Sequence, residues 1–181
     1  MLSSILVLTS VIVKSRDQTD SAGDERRLYA TKIMECILLE CSSHTTEVIP
    51  TILMTMFERL SKPFQEGLNL KPLVLLVVVA ALYMNLDVSL QALHHIAPNH
   101  SNLLEYICDE FFTCYKKMKG THNRRMAVVG ICLYFHLPPP LRPSIISTNP
   151  KKAFTHVILL IGVSVANAEL VDRLSVLAEL P

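Results

Sequence analysis

The fold class this sequence predicts is all-α, a stack of antiparallel helix pairs, and three observations predict it. Apolar residues recur at spacings of three and four through most of the chain, which is the period of one helix face and not of a strand. Clusters of Gly, Pro and small polar residues interrupt that pattern, so the helices are separate elements joined by connections. Successive pairs begin near residues 24, 70, 101 and 150, a mean spacing of about 42 residues that falls in the range of paired-helix repeats. The class is therefore an α-solenoid of HEAT-like or armadillo-like antiparallel helix pairs.

Residues 1 to 14 are apolar and read as the end of a helix that a fuller protein would extend; the polar stretch Lys14 to Asp24 reads as a loop. A helix from about Asp24 to Cys41 would turn Tyr29, Ile33, Met34, Ile37, Leu38 and Cys41 inward. After the polar Ser42 to Thr45 turn, a second helix carries Ile49, Ile52, Leu53, Met56, Phe57 and Leu60 at the same spacing. Pro50 falls in or just after its opening turn, where a missing N–H costs little. A third helix begins near Asn69 or Lys71, with Pro72 in its first turn, and runs to Asn85. Its Leu73 to Val79 run is rich in β-branched residues, so a buried strand competes, but a run of 15 residues from Pro72 to Leu86 without a turn signal exceeds most strands. Asp87 caps a short helix bearing Val88, Leu90, Leu93 and Ile96, which Pro98 ends.

The stretch Ser101 to His136 reads as a helix hairpin. Leu103, Leu104, Ile107, Phe111, Cys114 and Tyr115 form the stripe of its first helix, Ser101 can cap it, and Asp109 and Glu110 form its outward face. Lys116, Lys117 and Lys119 suit the helix C-terminus, and Gly120 is the expected left-handed stop. The second helix starts near Thr121 to Asn123, carries Met126, Val129, Gly130, Cys132, Leu133 and Tyr134, and ends at Pro138, Pro139 and Pro140 because successive prolines lack donors. A proline-rich loop to Pro150, a helix from Lys151 to Asn167 and an amphipathic piece from Glu169 to Leu180 complete the chain. Three regions follow: 1–23, an apolar segment and polar loop; 24–167, the helical repeats; and 168–181, an amphipathic tail.

Half of the 181 residues are hydrophobic and 18% are charged, with a mean hydropathy of +0.37. That is apolar for a protein of this size, so some apolar surface is expected to be covered by more protein. The longest apolar run is shorter than the roughly 20 residues of a spanning helix, and no membrane span is expected. The N-terminus resembles a signal-peptide core, but no Lys or Arg precedes it and no clear small-x-small site follows. Cys36, Cys41, Cys108, Cys114 and Cys132 lie mostly in apolar helical patterns, and reduced, buried thiols are expected. A net charge of +1 gives no argument for a nucleic-acid partner.

Little points to catalysis. His94, His95 and His100 lie close together, but neighbours on a helix point apart and no carboxylate or cysteine joins them at ligand spacing, so no metal is expected. Cys108 or Cys132 with His136 lacks a visible orienting carboxylate and oxyanion hole. Only five glycines are present, and none forms a dinucleotide or phosphate loop. No cofactor and no enzymatic activity are expected. Arg124 and Arg125, at a helix start where positive charge is mildly unfavourable, are candidates for contact with an acidic partner, against the plainer reading of a solvated turn.

In this order and at these separations, YATKIMECILLEC, EVIPTILMTMFERL, AALYMNLDVSLQAL and HNRRMAVVGICLYF resemble the C-terminal HEAT repeats of the importin-seven and importin-eight type of nuclear transport receptor, in the importin-beta superfamily. The resemblance runs from roughly Tyr29 to Val163. It implies a receptor that carries protein cargo through nuclear pores, binding cargo mainly inside its curve and phenylalanine-glycine nucleoporin repeats outside it, between cytoplasm, nucleus and nuclear envelope. Ran-GTP would engage N-terminal repeats that this chain lacks. Beyond Val163 the sequence departs from the family, whose corresponding region turns acidic. The alternative is a non-transport α-solenoid scaffold for protein interactions. Shallow grooves between adjacent helices are expected to hold phenylalanine side chains.

Overall fold

The computed structural model describes residues 2–15, 21–41, 44–64, 70–98, 103–114, 117–151, 154, 155 and 158, with side chains of α2 described from Glu25 onward. Eight α-helices occur among them: α1 (Leu2–Lys14), α2 (Ser21–Glu40), α3 (Thr45–Leu60), α4 (Leu70–Met84), α5 (Leu86–Ile96), α6 (Leu103–Cys114), α7 (Thr121–His136) and α8 (Ser144–Thr148). Among the described residues the chain is all-α, as its periodicity predicts, but the helix hairpin expected over Ser101–His136 is not one unit, because α6 and α7 fall in different compact units. It divides into two compact units, Met1–Met118 and Lys119–Pro181, each described by itself.

In the first unit alternate helices are neighbours. Helix α3 lies between α1 and α5, α4 packs on both α2 and α6, and each consecutive pair from α1 to α5 also touches. Two layers result, α1–α3–α5 and α2–α4–α6. Side-chain bonds hold them in register: Thr55 Oγ1 lies 3.1 Å from Ser10 Oγ across α3 and α1, and Ser89 Oγ donates to the Ala81 carbonyl of α4 at 2.8 Å. Thr45 Oγ1 donates to the Cys41 carbonyl at 3.1 Å, tying the start of α3 to the end of α2.

Helix α4 takes the central place. It touches α2, α3, α5 and α6, and 11 of its 15 residues are buried. This resolves the competition between strand and helix for Leu73 to Val79. A helix apolar on nearly every side is stable where four others cover it, each buried Val or Leu contributing ~1.5–3 kcal/mol, whereas β-branching alters helix propensity by less than ~1 kcal/mol per residue. Pro72 is the third helical residue, so its missing N–H is one that no helix satisfies. Pro50 lies further in, at the sixth residue of α3, on the exposed side.

Several expectations are corrected. In α2, Tyr29 and Ile33 are 68% and 44% exposed and Cys41 is half-buried, while Arg27, Ala30, Thr31 and Glu35 join Met34, Ile37 and Leu38 inside. The buried stripe keeps its helical spacing but is rotated, because its charged members find partners: Lys32 Nζ donates to Glu35 at 2.6 Å, and Arg27 Nη1 donates to Ser15 Oγ at 3.4 Å. Asn85, not Asp87, caps α5; its Oδ1 accepts from the Val88 N–H at 3.1 Å. Val88, Leu90 and Ile96 are only half-buried, and Ser89 and Ala92 go inside with Leu93. Phe57 is likewise half-buried.

In α6, Leu103, Ile107, Cys108, Phe111 and Cys114 are buried and Leu104 is half-buried. Asp109 faces out, but Glu110 is half-buried and forms an ion pair with Lys71 at the start of α4. Cys36 and Cys132 are exposed and Cys41 intermediate, so only Cys108 and Cys114 fulfil the expectation of buried thiols; all five are free. The expected roles of Ser101, Tyr115, Lys116 and His100 lie outside the described residues.

In the second unit Gly120 serves α7, not α6. With φ 85° and ψ 148° it is the N-cap residue of α7, and its carbonyl accepts the Arg124 N–H at 3.1 Å. Helix α7 buries Met126, Ala127, Gly130, Ile131 and Tyr134, with Cys132 exposed and Val129 and Leu133 half-buried. The segment after Pro138 is more ordered than a loop: a 3₁₀ turn spans Pro139–Leu141 and α8 follows. Arg142 Nε donates to the Leu137 carbonyl at 2.7 Å, filling an acceptor that the prolines leave open. Pro150, Lys151, Phe154, Thr155 and Ile158 are helical, and the Phe154 and Phe135 rings lie 5.3 Å apart. The remainder of the expected Lys151 to Asn167 helix and the whole Glu169 to Leu180 piece lie outside the described residues.

Candidate functional site: paired grooves across the first layer

Where α1, α3 and α5 run side by side, the ridges of α3 do not fill the furrows on either flank. Pro50 and Met54, one turn apart on the exposed side of α3, stand between two shallow depressions. The first, about 300 Å3, is bounded by Val7, Ser10, Val11 and Lys14 of α1 and by Pro50, Thr51, Met54 and Thr55 of α3. The second, about 210 Å3, is bounded by Pro50 and Met54 on one side and by Val88, Gln91, Ala92, His95 and Ile96 of α5 on the other. Met54 is 49% exposed although it is a large apolar side chain.

Both depressions are open and mostly apolar, with Lys14 at the first and His95 at the second as the titratable groups of their lining. Lys14 closes one end of the first, where its ammonium is held by Glu58 at 3.0 Å. Lys62 Nζ reaches the Lys14 carbonyl at 3.1 Å and so caps the end of α1. Shallow grooves between helices are expected from the sequence, but their lining escapes a reading of periodicity because that reading looks for the buried stripe. The sign of them in the sequence is an exposed apolar residue where a helix should be polar, as at Met54, Val7 and Val11.

A second cluster joins α3, α4 and α6. Arg59, buried at the end of α3, stacks on the Phe64 ring at 4.2 Å and donates from Nη1 to the Pro63 carbonyl at 3.2 Å. Lys71 Nζ lies 5.8 Å from the same ring. Burial opposes the charge on Lys71, but the hydrogen bond and negative charge of Glu110 outweigh it and leave the ammonium pKa above its ordinary value. Burial and Glu110 together raise the Tyr106 phenol, with Lys71 pulling the other way. The cluster is a structural clasp between helices.

The residues singled out from sequence are placed as follows. Arg124 and Arg125 lie in the first turns of α7, Arg125 exposed and Arg124 half-buried, and adjacent positions point about 100° apart. Their two guanidinium groups thus address different directions. His94 and His95 are both exposed, with ring centroids 6.3 Å apart and tilted by 59°. No group of three or more His, Cys, Asp or Glu suited to a metal occurs among the described residues. Cys132 and His136 are exposed on α7. Cys108 is buried, and burial, with Asp109 and Glu105 adding to it, pushes its thiol far above the ordinary range, which disfavours the nucleophilic thiolate. No helix among the described residues is long and apolar enough to cross a membrane.

A two-layer stack of helices with open apolar grooves defines a protein of the α-solenoid class. Three sequence relatives carry this further. The chain is 28% identical to Importin-8 of Danio rerio over 145 residues, covering 78% of this chain and 14% of the relative. It is 27% identical to Importin-8 of Homo sapiens over 119 residues, 64% of this chain and 11% of that protein, and 24% identical to Importin-8 of Mus musculus over 119 residues, 64% and 12%. The chain thus spans about one seventh or less of the relatives' length. No family model matches it, and no solved structure is significantly similar. The agreement of three relatives over most of this chain supports an importin-beta family relationship, as a partial chain.

Proposed function

We propose that this chain is a segment of a nuclear import receptor, or karyopherin, and acts by binding proteins, not by catalysis. The observation that carries the reading is similarity to Importin-8 over 78% of the chain, too long a stretch for one helix pair, in a molecule whose helices stack in two layers. Protein cargo and phenylalanine-glycine nucleoporin repeats are the partners. The open grooves beside Pro50 and Met54 suit single phenylalanine side chains of an extended peptide, bound weakly and at more than one place. Arg124 and Arg125 contact an acidic partner. Ran-GTP control belongs to repeats outside the part of the relatives that this chain spans. The working compartments are cytoplasm and nucleus, with the nuclear envelope between them.

The test is capture of the purified chain by immobilised phenylalanine-glycine repeats, with serine-glycine repeats as the control. Specific capture that falls several-fold in Met54→Glu and is unchanged in Arg125→Glu supports the transport reading. A folded chain that ignores both columns sinks it. The remaining reading would then be a non-transport interaction scaffold.

A further inference from the structure

The methionines whose side chains the structure describes divide sharply by exposure. Met34 and Met56 are 0% exposed, Met118 2% and Met126 8%, and Met84 is half-buried, whereas Met54 is 49% exposed. Helix α3 makes the difference. Met54 and Met56 are two positions apart, about 200° around the helix, so one fills the core and the other stands on the outer ridge. Both grooves converge on that ridge, which Met54 shares with Pro50. A thioether carries no proton to lose, so its sulfur needs only access to react with a hydroperoxide. Pro50 is inert to that reagent.

We propose that Met54 is a redox-modification site: oxidation of its sulfur by a hydroperoxide closes both grooves to apolar side chains, and reduction reopens them. This rests on the reading of the grooves as receptors for apolar side chains, though not on which protein supplies those side chains. A sulfur lone pair attacks the peroxide oxygen, the S–O bond forms as the O–O bond breaks, and the sulfur is oxidised by two electrons. The hydroperoxide is reduced to an alcohol, or to water where it is hydrogen peroxide. In the reverse direction a dithiol reductase gives up two electrons, becomes a disulfide and releases the oxygen as water. The sulfoxide oxygen is a strong acceptor that water can solvate at this exposed position, so the core is left undisturbed. An apolar guest entering the first groove would strip that water away. The donors there are already committed, the Lys14 ammonium to Glu58 at 3.0 Å and the Thr55 hydroxyl to the Thr51 carbonyl at 2.9 Å, so the oxygen would be desolvated without a partner. In the second groove a bond to Gln91 or His95 of α5 would draw the oxidised side chain across the opening. The exposed thiols Cys36 and Cys132 line neither groove.

The measurement is nuclear magnetic resonance of the full chain, isotope-labelled in its methionine and valine methyl groups, with hydrogen peroxide as oxidant and toluene as a probe for the phenylalanine side chain. Val11 lines the first groove and Val88 the second, so their methyl shifts report probe binding in each. Met54 should be converted to its sulfoxide about tenfold faster than Met34 or Met56, because those are enclosed. After that conversion the toluene concentration that half-saturates the Val11 and Val88 shifts should rise roughly fivefold, with unchanged far-ultraviolet circular dichroism. Methionine sulfoxide reductase with a dithiol should reverse the change. Met54→Leu sets its own starting affinity for toluene and keeps every cysteine, and peroxide should leave that affinity unmoved. Oxidation of Met54 no faster than of Met56, toluene binding that ignores oxidation, a Met54→Leu chain as sensitive to peroxide as wild type, or a reduced chain that shows no toluene shift at either valine would each overturn the proposal. Peroxide-sensitive toluene binding by a chain that nucleoporin repeats fail to capture supports this proposal and sinks the transport reading.

Discussion

Gly120 is held by its backbone alone. Its φ of 85°, with ψ near 148°, belongs to a region open essentially to glycine, and a Cβ placed there would meet nothing within 4 Å. Gly120→Ala should therefore cost ~1–3 kcal/mol from dihedral strain without a steric clash, readable as a lower denaturation midpoint with an unchanged m-value. Asn85→Ala should remove the cap of α5 and cost ~1 kcal/mol by the same measurement. Cys108 permits a pH prediction. Its folded pKa stands far above the ordinary 9.0 because burial, then Asp109 and Glu105, oppose the thiolate. Below pH 9.0 folded and unfolded chains both keep the proton. Above it only the unfolded chain releases it, so this thiol makes stability fall as pH rises beyond 9.0. In the native state a thiol reagent at pH 8 should modify the exposed Cys36 and Cys132 quickly and Cys108 only on unfolding. The sequence placed Cys108 inside correctly; it misplaced Cys36 and Cys132 because an apolar neighbourhood along a helix does not say which way each side chain turns.

At the scale of elements, α3 carries a conflict between stability and use. Pro50 interrupts its hydrogen-bond ladder beyond the first turn, at a cost of ~3 kcal/mol in an ordinary helix interior, yet it stands between both grooves. Pro50→Ala should raise the unfolding midpoint and, where the grooves receive phenylalanine side chains, weaken capture by nucleoporin repeats. A gain in stability with undiminished capture would separate Pro50 from binding. In α4, Leu75→Ala should cost ~2–5 kcal/mol because four helices close around it. The clasp between Lys71 and Glu110 is about one quarter exposed at each partner, so Glu110→Gln should cost only about 1 kcal/mol or less. The helical character and boundaries of α3, α4 and α7 were legible in spacing and in proline positions. The rotation of α2 was not, because its buried stripe includes Arg27 and Glu35, which a hydropathy pattern assigns to solvent and only their partners can admit to the interior.

For the whole molecule, the excess of apolar residues proves to be a property of surface as well as core. The described helices bury apolar residues within each unit and still expose Val7, Leu8, Val11, Tyr29, Ile33 and Met54. Uncovered apolar area of this kind marks a molecule that works in contact with other protein. A Val11→Glu chain should weaken nucleoporin capture, because Val11 lines the first groove.

The sequence by itself determined the all-α class of the described residues, the position of most helices and a resemblance to importins, because periodicity, proline and glycine positions and segment order are written along the chain. Tertiary structure alone decided which helices are neighbours, that α4 is enclosed on every flank, that Arg27 and Glu35 lie inside, and that Met54 stands beside open grooves. These depend on which residues distant in sequence meet, and that is set by packing among helices and not by the pattern within any one of them.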